Sequence, residues 1–164
     1  MDRTNWSLGK TNYNILFLGI VYEGVAFPVV WTLLDKQGNS NRDERMDLLE
    51  RFERLFPKAQ IHCLTGDREF IGKVWFSFLL LPRKMPFRLR LRHSDRISSH
   101  SGKSQQRGER VFESLQVGEQ RGLAGKRWVW GCRVYVVATR LDDGELLIVA
   151  TDRQPKTALA DYRL

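Results

Sequence analysis

The sequence predicts an α/β (α+β) chain built on a mixed sheet with flanking helices. Residues 14–22 and 25–34 are rich in β-branched and aromatic side chains, and Glu23-Gly24 between them favours a tight turn, so the two runs predict an antiparallel hairpin. Helix and strand patterns then alternate over residues 40–92. Because a helix that crosses between two strands of one sheet leaves those strands parallel, the sheet is expected to contain parallel members as well.

The first helix pattern has clear limits in the sequence. Ser40 or Asn41 can cap its start, apolar residues then recur at helical spacing, and Pro57 ends it. Pro28 lies within the strand predicted at residues 25–34, and a proline cannot donate a backbone hydrogen bond to a neighbouring strand. The strand at residues 25–34 is therefore expected at the edge of its sheet.

Three more elements follow in short succession. Residues 60–65 predict a short buried strand, Gly66-Asp67 a turn, and residues 70–81 a second helix that Pro82 closes. Residues 86–92 alternate arginine with apolar side chains, which is typical of a half-buried strand.

The second half of the chain has a different pattern. Residues 93–110 are rich in Ser, Arg and Gly, show no apolar periodicity, and predict a loop or mobile segment. Asp142-Asp143-Gly144 predicts a hairpin turn within the all-β part that comes next. The strand patterns and a closing helix start lie at residues 111–117, 127–141, 146–151 and 155–164. The chain thus divides into residues 1–92, 93–150 and 151–164.

The composition narrows the classes of protein that fit. The chain has 164 residues, of which 42% are apolar, and a formal net charge of +8. Residues 82–140 hold 14 basic and 4 acidic side chains, so the excess favours a polyanionic partner such as nucleic acid, with a solvated basic surface as the plainer alternative. Two isolated cysteines, Cys63 and Cys132, and polar first residues are typical of a cytoplasmic protein without a signal peptide. The apolar runs are far shorter than the roughly 20 residues of a membrane helix, so no membrane partner is expected.

Two aspartates are the candidates for chemistry. Asp67 follows the short strand predicted at residues 60–65, and ligand sites of open α/β sheets form outside the carboxyl ends of strands. If residues 1–4 end a neighbouring strand, Asp2 comes to the same edge. Two carboxylates there can hold divalent cations that activate a water and stabilise the leaving oxygen of a phosphodiester. Two plainer roles stay open, with Asp67 as the cap of the following helix and Asp2 as a frayed surface residue.

Long stretches of the chain carry the motifs of one family. The segments DRTNW, NILFLGIVYEGVAFPVVWTLLDKQGNSN, ERMDLLERF, LTGDREFIGKVWF and PFRLRLR, in this order and spacing, closely resemble bacterial DDE transposases of the insertion-sequence-four family. The resemblance extends over nearly the whole chain and is densest in residues 2–92. It implies a ribonuclease-H-like core in which Asp2 ends the first, central strand and Asp67 the fourth. Residues 111–150 correspond to a β-rich insertion.

The resemblance also implies a metal site. Asp2 and Asp67 correspond to the first two members of a D-D-E triad that holds two Mg²⁺ or Mn²⁺ ions. The glutamate of the family belongs to a helix with the pattern Y-x-x-R-x-x-x-E-x-x-x-x-x-x-K. Tyr162 matches its tyrosine, whereas Arg163 does not match its arginine, and the chain ends before the glutamate and the lysine. Because only Met1 precedes Asp2, the chain is expected to be a transposase fragment, truncated at both ends, with little or no strand-cleaving activity.

Double-stranded DNA, as transposon ends and as target, is the partner that the resemblance implies, and the intact parent is expected to be a homodimer at the bacterial nucleoid. Arg68 is open between a local ion pair and a substrate contact. Trp128 and Trp130 flank Val129 and so are expected on one strand face, where packing and stacking on a flipped base are both open roles. The arginines of residues 86–92 are expected to neutralise phosphates. The full set of expected DNA-binding residues is Arg68, Arg88, Arg90, Arg92, Lys126, Arg127, Trp128, Trp130 and Tyr162.

Three other classes of protein stay open at this point. The chain could be a non-catalytic nucleic-acid-binding fragment that interferes with a full-length transposase. It could be a metal-dependent nuclease of similar core that uses a different third carboxylate. It could also be the product of a decayed gene that does not fold stably.

Overall fold

The structure, a computed structural model, describes residues 1–81 and 83–163 and confirms the mixed α/β class. Those residues form two compact units, residues 1–61 with a sheet and one helix, and residues 62–163 with a second sheet and three helices. Pro82, predicted to close the second helix, lies outside the described residues. No helix among the described residues is long and apolar enough to cross a lipid bilayer.

The first unit is a three-stranded antiparallel sheet with one helix. Its elements are, in chain order, β1 Asp2–Leu8, β2 Thr11–Tyr22, β3 Val25–Leu34 and α1 Arg42–Leu55. The strand order is β1-β2-β3, so the predicted hairpin and the edge position of Pro28 are both confirmed. Glu23 (φ 50°) and Gly24 (φ 76°) have the left-handed backbone that a two-residue hairpin turn of this kind requires.

The prediction that Asp2 ends the first strand is wrong. Asp2 is the first residue of β1 and lies opposite Phe17, and the strand continues to Leu8, opposite Thr11. The turn at Gly9-Lys10 joins β1 to β2 and fixes this register, with Gly9 at φ 61°. β1 is therefore an edge strand of its sheet, not the central strand that the resemblance implies.

One face of this sheet packs against α1. Leu16, Leu18 and Val30 are buried on that face, as is Leu49 on the helix. The strand predicted as buried at residues 14–22 is thus buried on one face only. The opposite face and the far end of the hairpin leave large apolar side chains exposed, among them Trp6, Tyr13, Ile20, Tyr22, Trp31 and Leu33.

The helix α1 begins as the sequence predicts, with Asn41 as its N-cap. The Asn41 Oδ1 atom accepts a hydrogen bond from the amide of Glu44 (2.9 Å), and Glu44 Oε2 accepts one from the amide of Asn41 (2.7 Å). The two hydrogen bonds form a capping box, which satisfies two amides that the helix itself leaves without partners.

We expect Asn41→Ala to lower the free energy of unfolding by about 1 kcal/mol, because it leaves the amide of Glu44 without its partner. Urea unfolding measures the loss. The matched control is Asn41→Asp, which keeps an accepting oxygen and should stay within about 0.5 kcal/mol of the wild type. Equal losses in the two variants would contradict the capping role.

The second unit holds an eight-stranded mixed sheet and three helices among its described residues. The strand order is β4-β5-β11-β10-β9-β6-β7, with β8 paired to β10 beside this path. β4 and β5 are parallel, as the crossover through α2 predicts, and the other strand pairs are antiparallel. The elements are β4 Leu64–Gly66, α2 Lys73–Leu80, β5 Phe87–Arg90, β6 Arg96–Ser98, β7 Gln105–Arg107, α3 Gly108–Val111, β8 Gln120–Gly122, β9 Arg127–Val129, β10 Cys132–Arg140, β11 Leu146–Thr151 and α4 Ala158–Tyr162.

The strand β4 is shorter than the prediction for residues 60–65. Its ladder covers only Leu64–Gly66, opposite Phe87, Arg88 and Leu89 of β5, so residues 60–63 have no strand partner. Asp67 follows the strand immediately, at its carboxyl end, as the sequence predicts. α2 begins at Lys73, three residues later than predicted, and ends at Leu80.

The loop predicted for residues 93–110 is wrong. These residues form the β6–β7 hairpin and the short helix α3. The hairpin rests on one buried apolar side chain, Ile97, and on the buried polar residues Asp95 and Ser98. A segment so poor in apolar residues has no periodic pattern that the sequence could show.

Two strand predictions in the second half are also wrong. Residues 112–115 form turns rather than a strand, and Phe112 and Leu115 are buried at a spacing of one helical turn. The strand predicted over residues 127–141 is interrupted by a turn at Trp130-Gly131, where the backbone is left-handed at both positions (φ 51° and 74°). Trp130 therefore lies outside the strand that holds Trp128, and the two rings do not share a strand face.

The last hairpin confirms its predicted turn. The amide of Leu141 donates to the carbonyl oxygen of Glu145 (2.8 Å), and Gly144 has the left-handed backbone (φ 84°) that its turn position favours. β11, predicted as part of an insertion, pairs with β5, so residues 146–151 and the strand at Phe87–Arg90 belong to one sheet.

Candidate functional site

Asp67 lies directly after β4, with about half of its side chain exposed (51%). Its carbonyl oxygen accepts a hydrogen bond from the amide of Phe70 (2.9 Å), which closes a turn before α2. The N-cap of α2 is Gly72, and no side chain caps this helix start. Asp67 therefore does not cap this helix, and its half-exposed carboxylate lies at the edge of the sheet.

Two arginines surround the Asp67 carboxylate. The Nε atoms of Arg68 and Arg90 both lie 3.7 Å from Asp67 Oδ1. The same two guanidinium groups also pair with Glu145, which precedes β11. The structure thus brings together three residues that were predicted separately as site residues, Asp67, Arg68 and Arg90, and it adds Glu145 to them.

Tyr162, on α4, belongs to the same cluster. Burial raises the pKa of its phenol, and the negative charge of Asp67 raises this pKa further, while the charge of Arg90 and its hydrogen bond to the phenol act in the opposite direction. The phenol therefore stays protonated at neutral pH and can donate a hydrogen bond at this edge.

Arg92 extends the cluster on the strand side. Its Nε atom donates to the carbonyl oxygen of Arg68 (3.2 Å), and its side chain is exposed. Three residues predicted as DNA contacts, Arg68, Arg90 and Tyr162, therefore lie around the Asp67 carboxylate, and a fourth, Arg92, contacts Arg68. We call these residues, with Asp67 and Glu145, the β4 edge cluster.

Arg88 is not part of that cluster, because it is fully buried (0% exposed). Its guanidinium donates to Asp161 Oδ2 through Nε (3.0 Å) and Nη2 (2.9 Å), and to the hydroxyl of Thr151 (2.7 Å). Asp152 lies 3.8 Å away as a second counter-charge. Arg88 ties α4 to β5 and β11, and in this arrangement it cannot reach a phosphate at the surface.

The Arg88–Asp161 pair predicts a pH dependence of stability. Burial alone would raise the pKa of Asp161, but hydrogen bonds from Thr157 and Arg88, and the charge of Arg88, outweigh burial and lower this pKa. A carboxyl with a lowered pKa in the folded state stabilises that state above its unfolded pKa, near about 3.9. This contribution is lost as the pH falls through the lower pKa of the folded state.

We therefore expect the stability of wild-type protein to fall in acid more steeply than that of Asp161→Asn, which has no carboxyl to titrate. Urea unfolding between about pH 2 and 5 compares the slopes. Asp142→Asn, in the exposed turn, is the control and should keep the wild-type slope. A slope unchanged in Asp161→Asn would contradict the assignment.

Asp2 lies in the first unit, at the start of β1, and its side chain is exposed. Its Oδ1 atom accepts a hydrogen bond from the amide of Arg3 (2.7 Å). Asp2 and Asp67 each offer the carboxylate oxygens that Mg²⁺ and Mn²⁺ prefer. Within residues 1–81 and 83–163, no group of three or more His, Cys, Asp or Glu is placed to hold a metal ion. The metal site stays a prediction that rests on these two residues.

The remaining predicted DNA contacts lie on or beside β9. The Lys126 ammonium stands over the ring of Tyr135 (5.3 Å), and the Arg133 guanidinium over the ring of Trp128 (6.0 Å). Trp128 and Trp130 are exposed at 45% and 41%, so their outer surfaces are accessible. Trp130 also donates a hydrogen bond to the buried Asp95 carboxylate. Arg127, between these residues, is buried.

No protein-family model, curated protein or solved structure matches the chain. The resemblance to DDE transposases therefore rests on the sequence motifs, and the site rests on its geometry.

Sequence reasoning missed Glu145 and the burial of Arg88. A signal for Glu145 existed, because it lies between the Asp142-Asp143-Gly144 turn and the strand predicted at residues 146–151. Its neighbours in space could not be inferred, since they depend on β11 pairing with β5, which is more than 50 residues earlier in the chain.

Proposed function

We propose that the chain has the catalytic core of a bacterial DDE transposase of the insertion-sequence-four family, and that its β4 edge cluster contacts the phosphates of double-stranded DNA. The observation that carries the proposal is the position of Asp67. It follows a strand that is parallel to its neighbour, among arginines at the carboxyl edge of the sheet. Sites of open α/β sheets form at such edges.

The order of elements supports a ribonuclease-H-like core. Three antiparallel strands are followed by a helix, a strand, a second helix and a strand parallel to the one before. The resemblance implies this order, with Asp67 after the fourth strand, and Asp67 is found there. The edge position of β1 is the feature that fits this core least well.

The residues of the cluster have distinct roles in the proposed chemistry. Asp67 would hold Mg²⁺ or Mn²⁺, and the resemblance gives Asp2 a metal-binding role as well. Such ions activate a water or a 3′-hydroxyl and stabilise the leaving oxygen of a phosphodiester. Arg68 and Arg92 neutralise phosphates, and Arg90 holds Asp67 and Tyr162 in place. Tyr162 donates a hydrogen bond to a phosphate or a base. The partners are transposon ends and target DNA, and we propose a homodimer that acts at the bacterial nucleoid.

The proposed DNA contact predicts a salt effect. We expect the slope of log affinity against log salt concentration to become shallower by about 0.9 in Arg92→Gln, because one phosphate contact is lost. Fluorescence anisotropy with a DNA duplex at several salt concentrations measures the slope. Arg110→Gln, which removes an exposed arginine of α3 that pairs with Glu113, is the control and should keep the wild-type slope. A shallower slope in Arg110→Gln, or an unchanged slope in Arg92→Gln, would overturn the proposed contact between Arg92 and a phosphate.

A protein made of these 164 residues is expected to bind DNA without cleaving it, since it holds two carboxylates of the triad. The assay is incubation with Mg²⁺ or Mn²⁺ and DNA that carries the cognate ends. Specific nicking at the 3′ ends that disappears in Asp67→Ala would show that these residues complete the site on their own.

Glu145 favours a second candidate function, a metal-dependent nuclease that uses a different third carboxylate. Glu145 shares Arg68 and Arg90 with Asp67, so the two carboxylates stand at one edge. The nuclease predicts metal-dependent, sequence-independent nicking that Glu145→Gln abolishes. The transposase proposal predicts no such nicking.

A further inference from the structure

A pocket of about 200 Å³ lies in the second unit, away from the β4 edge cluster. This volume is several times the roughly 30 Å³ that one water molecule occupies in the liquid. The β6–β7 hairpin and the first residue of β9 form much of its wall. Its lining residues are Ile97, Ser98, Ser99, Ser104, Gln106, Val111, Leu123 and Arg127.

Arg127 is the charged residue of this lining. It is 9% exposed, and its Nε atom is buried without a hydrogen-bond partner among the described residues. Within that part of the chain, no carboxylate forms an ion pair with its guanidinium. A largely buried positive charge without a counter-ion is unfavourable, so an anion bound in the pocket would stabilise it.

The other polar side chains of the pocket can each donate a hydrogen bond as well as accept one. The Ser98 hydroxyl oxygen accepts from the amide of Trp128 (2.9 Å), which leaves its hydrogen available to a ligand. The Ser104 hydroxyl and the Gln106 amide group add further donors to the wall. Several donors and one guanidinium suit a tetrahedral oxyanion, which accepts hydrogen bonds on several oxygens at once.

The apolar walls strengthen the attraction. Ile97 is 1% exposed, and Val111 and Leu123 are half-buried. Apolar surroundings lower the local dielectric constant and so raise the energy of a charge pair formed inside.

We propose that this pocket binds a phosphate group, with Arg127 as its counter-charge. The proposal that a phosphate group binds here rests on the pocket alone. The further step, that this phosphate belongs to DNA, rests on the proposed function. As a DNA site it would hold a terminal or backbone phosphate.

The test compares phosphate with chloride at matched ionic strength and pH 7, with the melting temperature as the readout. Wild-type protein should show a saturable rise in phosphate that chloride does not produce. Arg127→Met should lose the rise and should melt in chloride at or above the wild-type temperature, because it removes a buried unpaired charge. A purely structural arginine would instead lower that temperature when replaced.

The matched control is Arg133→Met, on the strand facing β9. Arg133 lies opposite Trp128, so it is on the exposed face of the same ladder, and its replacement should leave the phosphate response intact. Gln106→Leu is a second variant, which should weaken phosphate binding several-fold even if Arg127→Met does not fold. The proposal is overturned if wild-type protein shows no saturable response, or if both Arg127→Met and Gln106→Leu keep it.

Duplexes with and without a 5′-phosphate separate the two sources of phosphate. If the 5′-phosphate raises DNA affinity in the wild type but not in Arg127→Met, the pocket holds a DNA terminus. If inorganic phosphate binds and neither duplex does, the phosphate site stands and the proposed DNA function fails.

Discussion

Replacing Arg88 with methionine should lower the free energy of unfolding of the second unit by about 3–5 kcal/mol. The guanidinium is fully buried and holds Asp161, with Asp152 as a second counter-charge. Methionine fills much of the volume but removes the arginine that donates two hydrogen bonds to Asp161. A largely buried carboxylate that loses its counter-charge costs far more than the net contribution of the intact pair.

The matched control is Arg92→Met, since Arg92 follows the same strand but is exposed. Its replacement should change stability by no more than about 0.5 kcal/mol. The double variant Arg88→Met/Asp161→Leu should be more stable than Arg88→Met alone, because no unpaired charge remains. Urea unfolding gives all three values. Equal losses for Arg88→Met and Arg92→Met would contradict the buried role of Arg88.

The second large effect is expected from Phe70→Ala, which should cost about 3–5 kcal/mol. Phe70 is 0% exposed, and a Cβ atom placed on Gly66 would come within 3.1 Å of its side chain, so the ring packs closely against β4. Its amide also donates to the carbonyl oxygen of Asp67. The cavity left by the ring therefore lies directly under the turn that positions the Asp67 carboxylate.

Two measurements check this prediction. Urea unfolding gives the loss of stability, with Phe27→Ala as the control, because Phe27 is 53% exposed. Hydrogen exchange of the amide at position 70 reports how often the turn opens. It should be faster in Phe70→Ala than in the wild type. A loss below about 1 kcal/mol would mean that the space collapses around the missing ring.

Local signals predicted the elements that rest on neighbours in the sequence. The Asn41 cap, the Glu23-Gly24 turn and the turn ending at Gly144 depend on residues a few positions apart, and all three are found. The parallel pairing of β4 and β5 also followed from the order of elements, since a crossing helix constrains the strands on either side of it.

The predictions that proved wrong concern residues whose partners are distant in the sequence. The alternation in residues 86–92 indicates a strand with one polar face, yet Arg88 is buried because Asp161, 73 residues later, supplies its counter-charge. The burial of Arg127 depends in the same way on the β6–β7 hairpin, a segment with no apolar periodicity. No local pattern contains this information, because it arises only when the sheet forms.

The prediction missed the turn at Trp130 for a different reason. A left-handed backbone is uncommon for a residue with a large side chain, so the sequence pattern predicts one unbroken strand over residues 127–141. Gly131 was the available signal, and Trp130 is held in place by its hydrogen bond to Asp95.

We propose that Asp67 of the β4 edge cluster binds a divalent cation, and paramagnetic broadening by Mn²⁺ tests this proposal most directly. Substoichiometric Mn²⁺ should broaden the amide signals around Asp67 in the NMR spectrum of the wild type. Asp67→Asn should abolish this broadening, whereas Asp143→Asn, in an exposed turn, should leave it unchanged. Signals around Asp67 that stay sharp in the wild type, or broadening that survives in Asp67→Asn, would contradict the proposed cation site.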